Sequence, residues 1–125
     1  MTARGEKLTL TDSFNAEADL SASQYRFVKA GAAGGIVACN AQGERSRGVL
    51  CDDPPAGEFG LVGLEGIMVV EVGTTPITDG ALVTTAADGR AEPAASGDWA
   101  RGEALEAQAT TGALVAIRLL DHLVP

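Results

Sequence analysis

The chain has 125 residues, 46% of them hydrophobic, which predicts one domain with a modest core. Its net charge is −8, and its densest basic pair, Arg45 and Arg47, lies beside an acidic residue, Glu44. Because a phosphate-binding surface needs clustered Lys and Arg, nucleic acid is excluded as a predicted partner. The sequence contains no apolar run of membrane-span length and no signal-peptide pattern, so we expect no membrane partner and synthesis in the cytoplasm.

The first 20 residues are mostly polar and charged, with a brief alternating stretch, Leu8-Thr9-Leu10-Thr11, and a lone Phe14. This is too little apolar surface to fold alone, so residues 1–20 are predicted to be an extended N-terminal arm and residues 21–125 the folded domain. Two interpretations of the arm stay open. It is either a frayed terminus or a segment that becomes ordered against a partner, with its alternating Leu-Thr stretch added as a strand to an exposed sheet edge.

Short apolar segments separated by turn residues follow the arm. Ser21 and Gln24 form a capping-box pattern, which predicts a single turn, and residues 25–29 alternate like a strand. Residues 35–39 and 47–51 flank a polar loop, and we predict that they pair as a hairpin.

A double proline within residues 52–57 then breaks the chain, because proline lacks an amide donor and fixes φ. Residues 59–64 are predicted as the next strand, and Glu65-Gly66 as the turn that ends it. Residues 67–72 form the most apolar run in the chain, which is typical of a central strand.

The last third of the chain contains the strongest hairpin pattern. Asp88-Gly89 joins residues 81–85 to residues 90–94, and both turn residues tolerate the positive φ of a type I′ turn. The segment 96–108 is ambiguous: its Ala, Glu and Leu favour a helix, whereas its glycines oppose one, and we prefer a strand from Glu103 to Ala107. Residues 113–120 are the final predicted strand.

These elements predict an all-β fold, a small single-domain barrel or sandwich of about eight short strands with the N-terminal arm. The 16 glycines are dispersed between the apolar runs, as expected for many tight turns.

The sequence contains no arrangement of residues that predicts catalysis, so we expect no catalytic, cofactor-binding or metal-binding residues. His122 is the only histidine and lies at the end of the chain. Asp52 and Asp53 occur in a turn, where capping is the usual role of Asp. Cys39 and Cys51 lack the spacing of a zinc site, and two small buried thiols are favoured over a disulfide, which stays open.

Seven motifs occur in a fixed order across residues 19–120: DLSASQYRFVK (19–29), RGVLCDDPPAGE (47–58), Gly63–Val72, DGALVT (79–84), DGRA (88–91), GEALEA (102–107) and Val115–Leu120. This ordered set resembles the capsid cement, or head decoration, proteins of tailed phages. The resemblance implies a non-enzymatic, β-barrel-like domain on the outer surface of the virion.

What the resemblance implies about partners is specific. Such proteins are often trimers at threefold positions of the expanded capsid, where they clamp the major capsid protein against internal DNA pressure. In related decoration proteins an N-terminal arm becomes ordered on the shell, so the expected capsid contacts are Leu8, Leu10 and Phe14. The residues expected at a trimer or capsid interface are Tyr25, Phe27 and Trp99. Trp99 has a second interpretation as a residue half buried under a loop.

Two other classes of function stay open. One is an oligomeric β-barrel ligand-binding protein or enzyme with a site between subunits, for which only His122 could supply a histidine. The other is a co-chaperonin-like or adaptor barrel, indicated only by the Val72-Gly73 and 79–83 pattern.

Overall fold

The computed structural model describes residues 6–125, which form one curled β-sheet. The all-β, single-domain prediction is confirmed, and within the described range no helix occurs. The strands are β1 (Lys7–Asn15), β2 (Phe27–Ala30), β3 (Ile36–Ala38), β4 (Gly48–Leu50), β5 (Phe59–Glu71), β6 (Leu82–Thr85), β7 (Ala91–Pro93), β8 (Trp99–Ala104) and β9 (Leu114–Leu123). The strand order is β3-β2-β4-β5-β9-β8-β6-β7, and β1 also pairs with β5.

The long strand β5 belongs to both halves of the sheet. Gly63 pairs with β1 on one side and β4 on the other, and Ile67 pairs with β1 and β9 in the same way. Since β1 occupies one edge throughout, β4 and β9 must share the opposite edge and separate between these two residues. We call this point of separation, residues 64–66 of β5, the fork.

Each half of the sheet curls back on itself. A parallel bridge joins Ala16, just after β1, to Ile36 in β3, and another joins Val72, just after β5, to Ala91 in β7. β3 and β7, the outermost strands of the two halves, therefore lie beside the ends of β1 and β5. The result is two curled halves that share β5. The sheet as a whole therefore forms a half-barrel and not a flat sandwich.

The predicted hairpin between residues 35–39 and 47–51 is wrong. β3 and β4 do not pair with each other, because β2 lies between them and is antiparallel to both. The local pattern identified the strands but not their partners. Val28 of β2 opposes Ala38 on one side and Gly48 on the other.

The predicted turn at Glu65-Gly66 is also wrong, since β5 runs through it without interruption. Gly66 does have the positive φ (106°) of a turn glycine. Here the positive φ accompanies a register shift of β1 after Leu8 and does not reverse the chain. β1 pairs on both sides of Gly66 and so keeps β5 continuous.

The later predictions agree better with the structure. β6 and β7 pair as an antiparallel hairpin, but the predicted type I′ turn at Asp88-Gly89 is wrong, because Gly89 has a positive φ of 86° whereas Asp88 does not. The ambiguous segment 96–108 contains β8 and no helix, although β8 begins earlier than the strand we preferred. β9 covers the predicted final strand and extends beyond it.

Two apolar clusters form the core. The larger lies mainly between the later strands and includes Phe27, Met68, Val70, Val115 and Ile117. The smaller lies under the first half of the sheet and consists of Ala16, Leu20, Val28, Ile36, Leu50 and Val62. The part of the chain described here has no helix suited to crossing a membrane.

The described part of the predicted arm lies on the domain in the isolated chain. β1 pairs with β5, and Ala16 and Leu20 are fully buried. Residues 1–5 of the predicted arm are outside the described residues. The division at residue 20 and the ordering of the arm on a shell stay predictions about the assembled state.

Candidate binding surfaces

The outer edge of β1 is the first candidate surface. β1 pairs only with β5, so within residues 6–125 its other edge has no strand partner. Leu10 is 46% exposed on this strand. Leu8 packs against the larger core cluster and Phe14 against the smaller one. The Arg47 guanidinium lies 4.4 Å from the centre of the Phe14 ring. Of the three predicted capsid contacts, only Leu10 is exposed in the isolated chain.

The three aromatic residues predicted at an interface lie in different environments. Phe27 is fully buried in the larger cluster, so its side chain fills the core and does not reach the surface. Tyr25 is half-buried against the same cluster, at a positive φ of 66°. Trp99 is partly exposed at the start of β8, opposite Leu123 of β9.

Phe59 is a surface residue that the sequence interpretation missed. It is 68% exposed at the start of β5, which makes it the most exposed large apolar side chain of the described residues, ahead of Leu123 at 49%. Its position directly after the proline-rich breaker is the sequence feature that could have identified it. Asn15 of β1 opposes Phe59, but this pairing does not cover its side chain.

Arg101 occupies the fork. Its guanidinium donates hydrogen bonds to three backbone carbonyls, those of Leu120 (2.8 Å), Arg47 (2.9 Å) and Leu64 (2.8 Å). These carbonyls belong to β9, to the residue before β4 and to β5, the strands that separate at this point. Arg101 is 9% exposed, and its burial lowers the pKa of the guanidinium. The arginine therefore replaces the ladder bonds that a continuous sheet would have made here.

A cavity of about 370 Å³ lies over the fork. We call it the arginine pocket; its lining residues are Ala30, Arg45, Ser46, Arg47, Arg101 and Asp121. Arg45 forms an ion pair with Asp121, and its guanidinium also lies 4.7 Å from the centre of the Trp99 ring. The hydroxyl of Ser46 is buried and has no hydrogen-bond partner among the described residues. Trp99 is thus a neighbour of a basic pocket, which the sequence alone did not indicate.

The residues considered for catalysis or metal binding do not come together. Within the described range no three His, Cys, Asp or Glu side chains form a group that could hold a metal ion. His122 is exposed near the end of β9. Cys39 and Cys51 are free thiols, and burial raises their pKa values to about 12 and about 11. Asp52 accepts a hydrogen bond from the Leu61 amide at 3.2 Å, a local structural role.

The fold defines a class of small all-β proteins in which one long strand is shared by two curled halves of a sheet. One solved structure with this fold is the N base of head fiber gp8.5 of bacteriophage phi29. The two chains superpose with a TM-score of 0.68 at 21% sequence identity, over 89% of this chain and 93% of that one. The likeness to a phage head protein is therefore confirmed at the level of the fold. No family model matches the sequence, and a search of curated proteins found no match.

Proposed function

We propose that this chain is a structural protein of a phage head that binds the outer face of the expanded capsid. The observation that carries the proposal is the fold likeness to a phage head fiber base over nearly the whole length of both chains. The ordered motifs of residues 19–120, which resemble capsid cement proteins, support it independently. In this function the protein acts by binding energy alone.

The finer proposal is that three copies bind at each threefold position, contact the major capsid protein and stabilise the shell against internal DNA pressure. Trimer binding multiplies weak individual contacts, because the second and third contacts become intramolecular once the first has formed. The net charge of −8 supports an exterior position, since an acidic protein is soluble before assembly and is not attracted to DNA.

We propose the outer edge of β1 as the capsid contact. Its unpaired backbone groups suit pairing with a strand of the shell, and the exposed Leu10 adds an apolar contact. Leu8 and Phe14 contribute indirectly, because their packing against the core holds β1 in place. Among the predicted interface residues, the partly exposed Trp99 is the best placed for contact between subunits.

The test is co-sedimentation with shells of the phage that encodes the chain, purified without this protein. We expect saturable binding to expanded shells at a copy number that fits the symmetry, and little binding to unexpanded procapsids. Absence of binding to either form would refute the proposal.

A point variant tests the contact surface more cleanly than a truncation. Deleting residues 1–18 would remove the buried Ala16 as well as β1, so folding and binding would change together. Leu10→Glu changes only an exposed position, and Ala107→Glu, at an exposed loop position, is the control for added charge. We expect Leu10→Glu to lose shell binding while Ala107→Glu keeps it. Equal binding by the two variants would remove β1 from the proposed contact.

A further inference from the structure

We propose that the arginine pocket binds a carboxylate side chain from a second copy of this chain, so that copies join head to tail. The inference rests on the proposed trimer and specifies the contact that forms it. The pocket supplies two kinds of donor for a carboxylate, the guanidinium groups of Arg45 and Arg47 and the hydroxyl of Ser46.

The donors in the pocket differ in how fully they are used within the chain. The Arg101 guanidinium donates its hydrogen bonds to three backbone carbonyls, so it contributes only its positive charge to the binding of a ligand in the pocket. Among the described residues, the Arg47 guanidinium lies over the Phe14 ring and makes one long side-chain hydrogen bond, 3.5 Å to the Gly35 carbonyl, so most of its N–H groups have no oxygen partner there. The side chains of the Arg45–Asp121 pair are 62% and 38% exposed, and an exposed pair of this kind exchanges partners at little cost.

Ser46 is the second, independent sign of a ligand site. The residue is 7% exposed, and its Oγ has no hydrogen-bond partner in the described part of the chain. Buried hydroxyl groups are nearly always paired, so an unpaired one at a pocket between two arginines needs an explanation. An oxyanion held by Arg45 and Arg47 would accept a hydrogen bond from the Ser46 hydroxyl.

The charges favour a carboxylate over a phosphate group. The three arginines and Asp121 give the pocket a net charge of about +2. Since the net charge of the whole chain is −8, the residues outside the pocket carry about −10. A dianion would face Asp121 and this acidic surround with twice the charge of a carboxylate. The planar guanidinium meets the two oxygens of a carboxylate with two parallel N–H groups; a phosphate group can form the same paired contact, so the charge and not the geometry makes the distinction.

The same charge balance identifies the source of the carboxylate. The acidic remainder of a second copy is complementary to the pocket, and a threefold ring requires two different surfaces to meet at each contact. Residues 53–59 are the segment best suited to the pocket. They present the exposed carboxylates of Asp53 and Glu58 beside the most exposed apolar side chain, Phe59, which can pack at the rim formed by Trp99.

The oligomeric state of the full chain tests the inference. Sedimentation velocity over a range of protein and salt concentrations should show a trimer that dissociates as salt rises, because ion pairs at the rim of a contact are screened. Arg47→Glu and Glu58→Arg should each weaken association by roughly 30-fold or more, and the double variant should recover part of the loss. Ser46→Ala changes no charge and should weaken association several-fold.

Arg118→Glu is the matched control, because Arg118 is an exposed arginine outside the pocket with a single ion-pair partner, Glu103. Circular dichroism melting checks that every variant is folded. A folded Arg47→Glu variant that associates as well as Arg118→Glu would overturn the inference.

The failure of this inference can be distinguished from failure of the proposed function. A wild-type chain that stays monomeric but saturates expanded shells would overturn the pocket contact and leave shell attachment standing. Trimers that depend on the pocket but ignore every shell would support the contact and refute the attachment. An Arg47→Glu variant that remains trimeric would also overturn the inference, whether or not it still binds shells.

Discussion

Replacement of Arg101 by alanine tests whether this side chain holds the fork together. The substitution removes the donors of three hydrogen bonds and leaves the carbonyls of Leu120, Arg47 and Leu64 without the guanidinium. These groups belong to three different segments of the sheet. We therefore expect the loss to affect the stability of the whole domain and not of one loop.

The magnitude follows from two opposing terms. A hydrogen bond to a charged group contributes about 1.5–3 kcal/mol, so three such bonds contribute roughly 5–9 kcal/mol. Burial of the guanidinium, which is also the cause of the lowered pKa of Arg101, costs several kcal/mol that the substitution recovers. We expect a net loss of about 3 kcal/mol from a total stability on the order of 5–15 kcal/mol.

The assay is equilibrium unfolding in urea, followed by circular dichroism and by the fluorescence of Trp99, the single tryptophan. With a slope of about 1.5 kcal/mol per molar urea, the midpoint should fall by about 2 M. Protein concentration must be held constant, because association of subunits would add to the apparent stability. Arg101→Lys should lie between alanine and the wild type, since an ammonium group lacks the planar fork that reaches several carbonyls.

Arg118→Ala is the control, as it removes an arginine whose side chain is 54% exposed and forms one surface ion pair. Such a pair contributes about 0–1 kcal/mol. If Arg101→Ala lost no more stability than this control, the guanidinium would not be holding the fork and the reasoning would be refuted.

Three further predictions concern thiols, acid stability and backbone strain. Burial raises the pKa of Cys39 to about 12 and that of Cys51 to about 11. A thiol reagent at pH 8 should therefore modify the native protein more than ~100-fold slower than the unfolded chain. Similar modification rates for the native and unfolded chains would contradict this burial. Burial raises the pKa of Glu44, but hydrogen bonds from a lysine and two backbone amides outweigh it, so the folded-state pKa lies below the unfolded value. Its contribution is thus present above about pH 4.5 and is lost as pH falls through the folded-state pKa. Glu44→Gln should cost about 1 kcal/mol at pH 7 and progressively less as the pH falls below 4.5, and a cost independent of pH would count against this. Gly66→Ala should destabilise the domain by about 2 kcal/mol and speed hydrogen exchange in β1, because Gly66 combines a positive φ with close contact against the β1 backbone. Gly80→Ala is the control, since Gly80 has a positive φ without such a contact. Equal destabilisation by the two variants would show that the contact with β1 does not matter.

Local sequence patterns predicted the secondary structure well in the places where a turn is made by its own residues. Asp88-Gly89 predicted the hairpin of β6 and β7, although only Gly89 has the positive φ that a type I′ turn needs at both positions. At Gly66 the same property was misinterpreted as a chain reversal, because its true cause is a register shift against a strand more than 50 residues earlier.

The candidate surfaces were predicted only in part. Leu10 is exposed on β1, as its position in a polar segment suggested, whereas Phe27 belongs to the core. An alternating strand pattern identifies two faces but does not say which one a distant segment will cover. The sequence also marked Arg45 and Arg47 as its densest basic pair, without indicating that Arg101 and Asp121 would join them.

The sequence by itself determined the class of fold, because small apolar runs between dispersed glycines can bury their surface only as short strands joined by tight turns. The net charge of −8 is likewise a property of the sequence alone, and it underlies the prediction that nucleic acid is not a partner. Only the tertiary structure decided that β2 lies between β3 and β4, that β5 serves both halves of the sheet, and that an arginine closes the fork. The physical reason is that strand pairing is non-local. Each strand can satisfy its backbone against many others, and the choice depends on which apolar faces can be buried together in three dimensions.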